Sequence, residues 1–391
     1  MVDETSSSIL NLKVLFILNS SAALCNNMII PLLPLLVTDL GASVTEASSV
    51  IFIGYIISAI VIFPSGILSD RYRRRNIIAA SFLLYAFSCL YLSLVNDWVY
   101  SIVGIALFLS SFSLFIPSRQ TMIADNANSR KMATTYGIMN LAWPIGIMIG
   151  PVIAGLLADN YGWNHVFYAI TLLSLASIFP VLLFKRTYKG DKRKDKKLEK
   201  KLDKKPFFRK KFLLLVVLSL FLFIGNGARG IMNLVVPLYL TETFNANKTT
   251  VGLFVSLGFG LAILLTQIPS GKIADRFDAR KILACCTVPL PLLAVFWPLL
   301  DNYSFLLVLY MLMSGLWSMT WPVTSSYLMN VTPSLERGRA MSFRQAAVMF
   351  GFTVGPVIGG YFWNTYGPIS TFYVSGVLYS VAFLLAFFLK E

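Results

Sequence analysis

The sequence predicts an all-α membrane protein in which twelve transmembrane helices form two six-helix bundles. The 391 residues are 57% hydrophobic, with a mean hydropathy of +0.72, and a soluble protein of this length could not cover that much apolar surface. Apolar runs of about twenty residues, which cross about 30 Å of hydrocarbon as helices, recur from end to end. Residues 66–75 (GILSDRYRRR) also recur at 271–280 (GKIADRFDAR), 205 positions later. A repeat of nearly half of such an apolar chain indicates two similar bundles fused end to end.

The twelve predicted spans are continuous, and they are too long for the strands of a membrane β-barrel, which have about ten residues each. They lie at about 12–38, 46–69, 76–95, 98–125, 133–158, 164–185, 211–240, 248–274, 281–300, 304–329, 340–364 and 369–389. The same offset carries Pro64 onto Pro269 and Pro117 onto Pro322. Corresponding spans of the two halves are therefore expected to have similar shapes.

The connection between the halves carries most of the net charge of +15. The segment Lys185–Lys211 holds fifteen Lys and Arg residues against four acidic residues. No aromatic residue interleaves its central charges, so a nucleic-acid surface is not expected, although anionic lipid headgroups would attract this segment. We expect an N-terminal bundle at 1–185, a basic linker at 186–210 and a C-terminal bundle at 211–391.

The shorter connections alternate between basic and neutral. The basic ones are 70–75, 126–132, 271–281 and 333–339, whereas those without Lys or Arg are 40–45, 96–97, 159–163, 241–247, 301–303 and 365–368. Because basic connections stay on the cytoplasmic side, both termini and the linker are expected in the cytoplasm. The chain is thus predicted to be a multi-pass protein of the plasma (inner) membrane.

The repeated loop resembles the signature G-x-x-x-D-R-x-G-R-R/K, which joins the second and third spans in the major facilitator superfamily. The residues that match are Gly66, Asp70, Arg71, Arg74 and Arg75 in the first copy and Gly271, Asp275, Arg276 and Arg280 in the second. The inner glycine of the signature is replaced by Arg73 and Asp278. The resemblance extends over nearly the whole chain and implies the major facilitator fold. In similar transporters this loop latches the halves while the protein is open outward, together with an acid at the end of the fourth span, which is Asp125 here.

A second motif, G-x-x-x-G-P, occurs in the fifth span and again in the eleventh. Its residues are Gly146, Gly150 and Pro151, followed in the second half by Gly355 and Pro356. Small residues let helices pack closely, and proline bends a helix. In the superfamily this pattern in the fifth span is typical of exporters, especially drug/proton antiporters, although ordinary helix packing would also explain it.

The chain departs from those antiporters at two positions. The usual arginine of the fourth span, twelve residues before Pro117, is Ile105, and the usual acid of the first span, four residues before Pro31, is Asn27. The coupling ion is therefore left open between protons and another ion.

The binding site is expected near the bilayer midplane between the two halves. None of the eighteen acidic residues lies near the middle of a span, but Arg229 lies well inside the seventh. An ionisable residue inside the membrane is a functional candidate by default. We expect Arg229 to face the cavity and to bind an anionic group or take part in coupling; the alternative is structural pairing with a carbonyl group or with an acid such as Asp39 or Glu242.

Amides, aromatic rings and two further arginines complete the predicted substrate-binding site. These residues are Asn26, Asn27, Tyr55, Arg119, Trp143, Asn226, Asn233, Trp317, Trp321 and Arg344. The amides would lie on the faces of spans one and seven that meet. The alternatives are polar contacts between helices for the amides, snorkelling to the interface for the two arginines and core packing for the aromatic rings.

Together these features predict a secondary active transporter that works by alternating access and exports amphipathic small organic molecules, as a monomer and without a cofactor. An enzyme is not expected, because the sequence contains no G-x-x-x-x-G-K-[ST] phosphate loop, catalytic triad or metal-binding cluster. Two alternatives stay open. One is a transporter specific for an organic anion, metabolite or lipid, and the other is a membrane sensor or scaffold that transports nothing.

Overall fold

The structure is a computed structural model. It describes residues 2–127, 132–184, 208–274, 276–332 and 337–389. Within these residues all regular elements are helical, and twelve helices are long and apolar enough to cross a membrane. The predicted all-α fold with twelve spans is confirmed, and we number the spans α1 to α12.

Several of these helices are interrupted. In the first half, α1 comprises Val2–Ile29, a 3-10 turn at Ile30–Leu32 and Leu33–Asp39; α2 is Val44–Arg71, α3 is Arg74–Leu92, α4 is Trp98–Asn126, α5 comprises Met132–Asn140 and Ala142–Tyr161, and α6 comprises Trp163–Ala176 and Ile178–Leu182. In the second half, α7 is Phe208–Phe244, α8 comprises Lys248–Val255, a π-helical stretch at Ser256–Leu261 and Ala262–Ala274, α9 comprises Ala279–Thr287, Leu290–Phe296 and Trp297–Leu299, α10 is Tyr303–Val331, α11 is Arg337–Tyr366 and α12 is Pro368–Phe387.

The ends of the helices define two faces, which we call the basic-loop face and the neutral-loop face after their connections. At the neutral-loop face Ser43 and Glu46 form a capping box at the start of α2, and Asn247 caps α8. Such side chains satisfy backbone N–H groups that a helix start leaves free. Gly162 and Gly367, 205 residues apart, precede α6 and α12 with the same φ of 83°, which glycine adopts without strain. The sequence repeat is therefore also a repeat of backbone conformation.

Within each half, glycines bring two helices into backbone contact. A methyl group on Gly150 of α5 would lie 2.7 Å from the carbonyl carbon of Asn27 in α1. Likewise, a methyl group on Gly355 of α11 would overlap the carbonyl oxygen of Gly227 in α7. The G-x-x-x-G-P motif thus permits the same close packing of α5 on α1 and of α11 on α7.

The two bundles meet mainly where α2 packs against α11 and α5 packs against α8. The Thr45 hydroxyl donates to the carbonyl oxygen of Gly360 at 3.0 Å, and the Ser256 hydroxyl donates to that of Ile147 at 3.3 Å. Thr45 and Gly360 lie at the neutral-loop ends of α2 and α11, so the bundles are in contact at that face.

The predicted linker at 186–210 falls largely outside the described residues. The helix α7 begins at Phe208, which is inside the predicted linker. The boundaries of the two bundles therefore stay a prediction.

Candidate functional site

A cavity of about 280 Å³ lies between the two bundles. Helices α1, α2, α4 and α5 line it from the first bundle, and α7, α8, α10 and α11 line it from the second. Its polar side chains are Asn26, Asn27, Tyr55, Ser58, Ser113, Asn233, Tyr310, Gln345 and Thr353, and its aromatic wall includes Phe112, Trp143, Phe259, Trp321 and Phe352. No charged side chain is among the described residues that line it.

The exposure of the lining residues changes along the depth of the cavity. Leu33 and Leu234, toward the neutral-loop face, are only 2% and 1% exposed. Gln345 and Met349, nearer the basic-loop start of α11, are exposed. The cavity is therefore closed toward the neutral-loop face and open toward the basic-loop face.

Six of the predicted binding residues line this cavity. They are Asn26, Asn27, Tyr55, Trp143, Asn233 and Trp321. The Asn27 amide donates to the carbonyl oxygen of Ala23 in its own helix at 2.8 Å. The side chain of Asn233 has no hydrogen-bond partner among the described residues. These amides can thus offer hydrogen bonds to a molecule in the cavity.

Asn26 is held more tightly than Asn27. Its amide nitrogen donates to the Tyr85 hydroxyl and to the carbonyl oxygen of Ala22. The Asn26 oxygen is buried and has no partner among the described residues. A buried amide oxygen without a partner is costly, so a ligand that donates a hydrogen bond there would remove that cost.

Arg229 does not line the cavity, contrary to expectation. Its side chain is 1% exposed and turns toward α10, where it donates to the hydroxyls of Ser314 and Tyr310, both at 3.1 Å. Its guanidinium carbon lies 4.0 Å from the centroid of the Phe259 ring. Phe259 and Tyr310 line the cavity, so the charge lies directly behind the cavity wall.

Asn226 and Trp317 also lie inside the second bundle. Both are almost fully buried, and the indole nitrogen of Trp317 donates to the Asn226 oxygen at 3.4 Å. The Trp317 ring covers Gly225, where a methyl group would overlap it. The ring fills the space beside this part of α7, so neither residue reaches the cavity.

The two other predicted arginines lie nearer the basic-loop face and are held by helix neighbours. Arg119 donates to the Asn140 side-chain oxygen at 2.8 Å. Arg344, only 9% exposed, donates to the carbonyl oxygen of Trp321 at 3.2 Å and to the Thr324 hydroxyl. Neither lines the cavity, because these bonds tie each side chain to a neighbouring helix.

Charged residues join the bundles at the neutral-loop face. Lys248, which starts α8, pairs with Asp39 of α1 at 3.0 Å, and the indole nitrogen of Trp163 donates to the same carboxylate at 2.8 Å. The Asp159 carboxylate of α5 accepts from the backbone N–H groups of Lys248 and Thr249 at 3.0 and 2.7 Å. We call these five residues the closed seam. The positive end of α8 favours a carboxylate at this place.

The predicted latch residues at the basic-loop face are placed only in part. Arg74 forms an ion pair with Asp125 across the ends of α3 and α4. No atom of the described residues lies within 4 Å of a methyl group placed on Gly66 or Gly271, and Arg71 and Arg276 are exposed. The Asp70 side chain and the whole of Asp275 lie outside the described part of the chain, so the latch stays a prediction.

The predicted binding residues do not include several that line the cavity, notably Phe112, Phe259, Tyr310 and Thr353. The chain has thirty Phe and seventeen Tyr residues, so composition alone does not single out those that face a cavity. The π-helical stretch that carries Phe259 has only a weak sequence signal, the glycines Gly258 and Gly260.

A protein-family model described as Major Facilitator Superfamily matches residues 15–228 of this chain and, a second time, residues 218–391. Each match covers one of the two repeated halves, and together they cover nearly the whole chain.

Individual proteins are similar over most of their length. The chain is 26% identical over 362 residues to the multidrug resistance protein MdtG of Proteus mirabilis, covering 90% of this chain and 89% of MdtG. It is 22% identical over 374 residues to YuxJ of Bacillus subtilis, an uncharacterised MFS-type transporter, covering 93% and 94%.

Two solved structures share the fold at 12% sequence identity. One is a bacterial homologue of the human lysosomal transporter Spinster, inward-facing and occupied, with a TM-score of 0.79 and coverage of 98% of this chain and 96% of that one. The other is the nucleoside transporter NupG, with a TM-score of 0.78 and coverage of 97% and 100%.

Proposed function

Because the chain belongs to the major facilitator superfamily, we propose that it exports amphipathic small organic molecules by alternating access. Membership makes the protein a multi-pass membrane transporter of small molecules and not an enzyme. The cargo class, the direction of transport and the coupling are the parts that we add.

The main observation in support of this cargo class is the uncharged lining of the cavity. Aromatic rings such as Trp143 and Trp321 form its wall, and amides such as Asn27 and Asn233 supply hydrogen-bonding groups. An apolar site with a few dispersed polar groups accommodates varied amphipathic molecules rather than one rigid polar substrate. Similarity to proteins named multidrug resistance proteins supports both this cargo class and export.

The side on which the cavity opens indicates which step of the transport cycle this conformation represents. If the basic-loop face is cytoplasmic, the cavity here is open inward and ready to load cargo for export from the cytoplasm across the plasma membrane. We propose that the bundles at 1–185 and 211–391 then rock against each other, which breaks the closed seam and engages the basic-loop latch around Asp70. Such rocking around a fixed central site is how similar folds alternate.

We propose that a proton gradient supplies the energy for export and that the monomer is the working unit. The described lining of the cavity has no carboxylate. Asp39 and Asp159 are carboxylates that join the bundles directly, so they are the first candidates for proton-linked steps.

Transport by purified protein in proteoliposomes tests this function, with N-phenyl-1-naphthylamine as a neutral amphipathic fluorescent cargo. We expect an imposed proton gradient to drive its movement. Asn233→Trp should block transport because it fills the cavity. Leu220→Trp is a matched control on the same helix, because Leu220 is 44% exposed and does not line the cavity. Equal transport with and without the protein would overturn the proposal, and normal transport by Asn233→Trp would remove this cavity as the site.

A further inference from the structure

Arg229 is a buried cation without an anionic partner among the described residues. Its two donors to Ser314 and Tyr310 go to neutral hydroxyls. Its Nε–H group is buried and has no hydrogen-bond partner in the described part of the chain. A buried charge without a counter-charge is costly, so the site has an unmet requirement for an anion.

The Phe259 ring lies between one face of this cation and the cavity, and the Tyr310 ring, which also lines the cavity, has its centroid 5.0 Å from the guanidinium carbon. The Phe259 ring lies 4.0 Å from the guanidinium carbon and is itself part of the cavity wall. It is only partly buried, whereas Arg229 is 1% exposed. Stacking of a ring on a cation supplies some of the missing compensation. Phe259 therefore both shields and stabilises the charge in this conformation.

The backbone that carries Phe259 is suited to movement. Phe259 lies inside the π-helical stretch Ser256–Leu261, between Gly258 and Gly260. The hydrogen bonds of a π-helical stretch join residues five apart rather than four apart, and such stretches occur frequently at functional sites. A change of this stretch toward α-helical geometry would rotate Phe259 relative to α7. The same helix, α8, forms the contact with α5 across the bundles, so rocking of the bundles acts directly on this segment.

We propose that Arg229 is a concealed anion-binding group of the cavity. When Phe259 moves aside, the guanidinium becomes accessible and binds a carboxylate, phosphate or sulfonate group on an amphipathic cargo. Because a guanidinium presents several N–H donors, it binds such oxyanions with directed, charge-assisted hydrogen bonds. The inference rests on the proposed function only in taking this cavity as the cargo site, and it names the charge class that one transport state favours.

The test compares two probes of similar shape, naphthalene-2-sulfonate, which is an anion, and naphthalene-2-sulfonamide, which is neutral. Their dissociation constants are measured by calorimetry with the full chain in detergent. Phe259→Leu keeps an apolar side chain but removes the stacked ring, and we expect it to raise the preference for the sulfonate by about tenfold. Phe112→Leu is the matched control, because Phe112 also lines the cavity but stacks on Phe115 and packs against Trp143 at a tilt, rather than on a cation.

A second comparison connects the effect to Arg229. In the Arg229→Gln background, which removes the charge, Phe259→Leu should leave the preference unchanged. If the Gln variant fails to fold, Arg229→Lys, which keeps the charge without the planar fork, should reduce the gain. An equal change in the Phe259 and Phe112 variants, or no change in either, would overturn the proposal. Methanesulfonate, which lacks the apolar body, should bind far more weakly than naphthalene-2-sulfonate. If the two bind equally tightly, the site binds free anions and not cargo.

These binding results do not depend on whether export is observed.

Discussion

Asp159 of one bundle caps the first turn of a helix in the other bundle through Thr249. Its carboxylate accepts hydrogen bonds from the Thr249 backbone N–H at 2.7 Å and from the Thr249 hydroxyl at 2.6 Å. A helix cap usually comes from the residues just before the helix. Here the cap spans the gap between bundles, so it can exist only while this face is closed. The position 205 residues later is Asn364, so the corresponding contact between α11 and α2 lacks this carboxylate.

We predict that Asp159→Asn opens the neutral-loop face. Loss of the negative charge weakens the hydrogen bonds to α8. The fraction of molecules in which the neutral-loop face is open should therefore rise about threefold to tenfold. The readout is labelling of Ser48→Cys by a membrane-impermeant thiol reagent in a background without the native cysteines. Ser48 is fully buried at the contact between α2 and α11, so its labelling reports opening at a distance from the mutation.

The control for this variant is Asp97→Asn. Asp97 caps α4 of its own bundle through the backbone N–H of Val99 at 2.8 Å, so the same chemical change there breaks no contact between bundles. We expect unchanged labelling in this control. Equal labelling rates in the two variants would show that the cap from Asp159 does not hold the face closed.

A second prediction concerns the close approach of α5 to α8. A methyl group on Gly155 would lie 2.5 Å from the carbonyl oxygen of Lys248, so Gly155→Ala should prevent closure of this face and strongly reduce transport. Overpacking of this kind costs about 1–3 kcal/mol. Gly137→Ala, in the same span, meets no atom within 4 Å, and it should be neutral or stabilise the helix by up to about 1 kcal/mol. The prediction is tested by measuring the thermal unfolding and the transport activity of both variants. Normal transport by Gly155→Ala would contradict the packing argument.

Orientation gives a third prediction. Asp195→Cys, in the basic linker, should react with an impermeant reagent only from the cytoplasmic side, because basic connections are retained there. Asp301→Cys, in a connection without Lys or Arg, should react only from outside. The reverse pattern in intact cells would invert the topology, and with it the export direction.

The sequence predicted the elements well because each span carries its own signal. A run of about twenty apolar residues suffices to identify a membrane helix, and the repeat identifies pairs such as Gly162 and Gly367, which share one backbone conformation. The twelve spans could be predicted without any information on how the helices pack against each other.

The site was harder to predict, because whether a side chain faces the cavity depends on which helix packs against it. Asn226 and Asn233 lie about two turns apart on roughly the same face of α7. Only Asn233 reaches the cavity, since Trp317 occupies the space beside Asn226. Similarly, a long side chain such as that of Arg229 can turn toward either neighbour, and hydroxyls on α10 attract it away from the cavity. Such contacts between distant residues leave no local pattern in the sequence.

Alternating access around the central cavity is the central claim, and two distances measured by electron spin resonance test it most directly. One label pair, Tyr161→Cys with Glu242→Cys, spans the bundles at the neutral-loop face, and the other, Gly137→Cys with Lys272→Cys, spans them at the basic-loop face; all four positions are exposed. When N-phenyl-1-naphthylamine and a proton gradient are supplied in proteoliposomes, the first distance should lengthen in a fraction of molecules while the second shortens. Two distances that stay fixed during measurable transport, or that change in the same direction, would contradict this account.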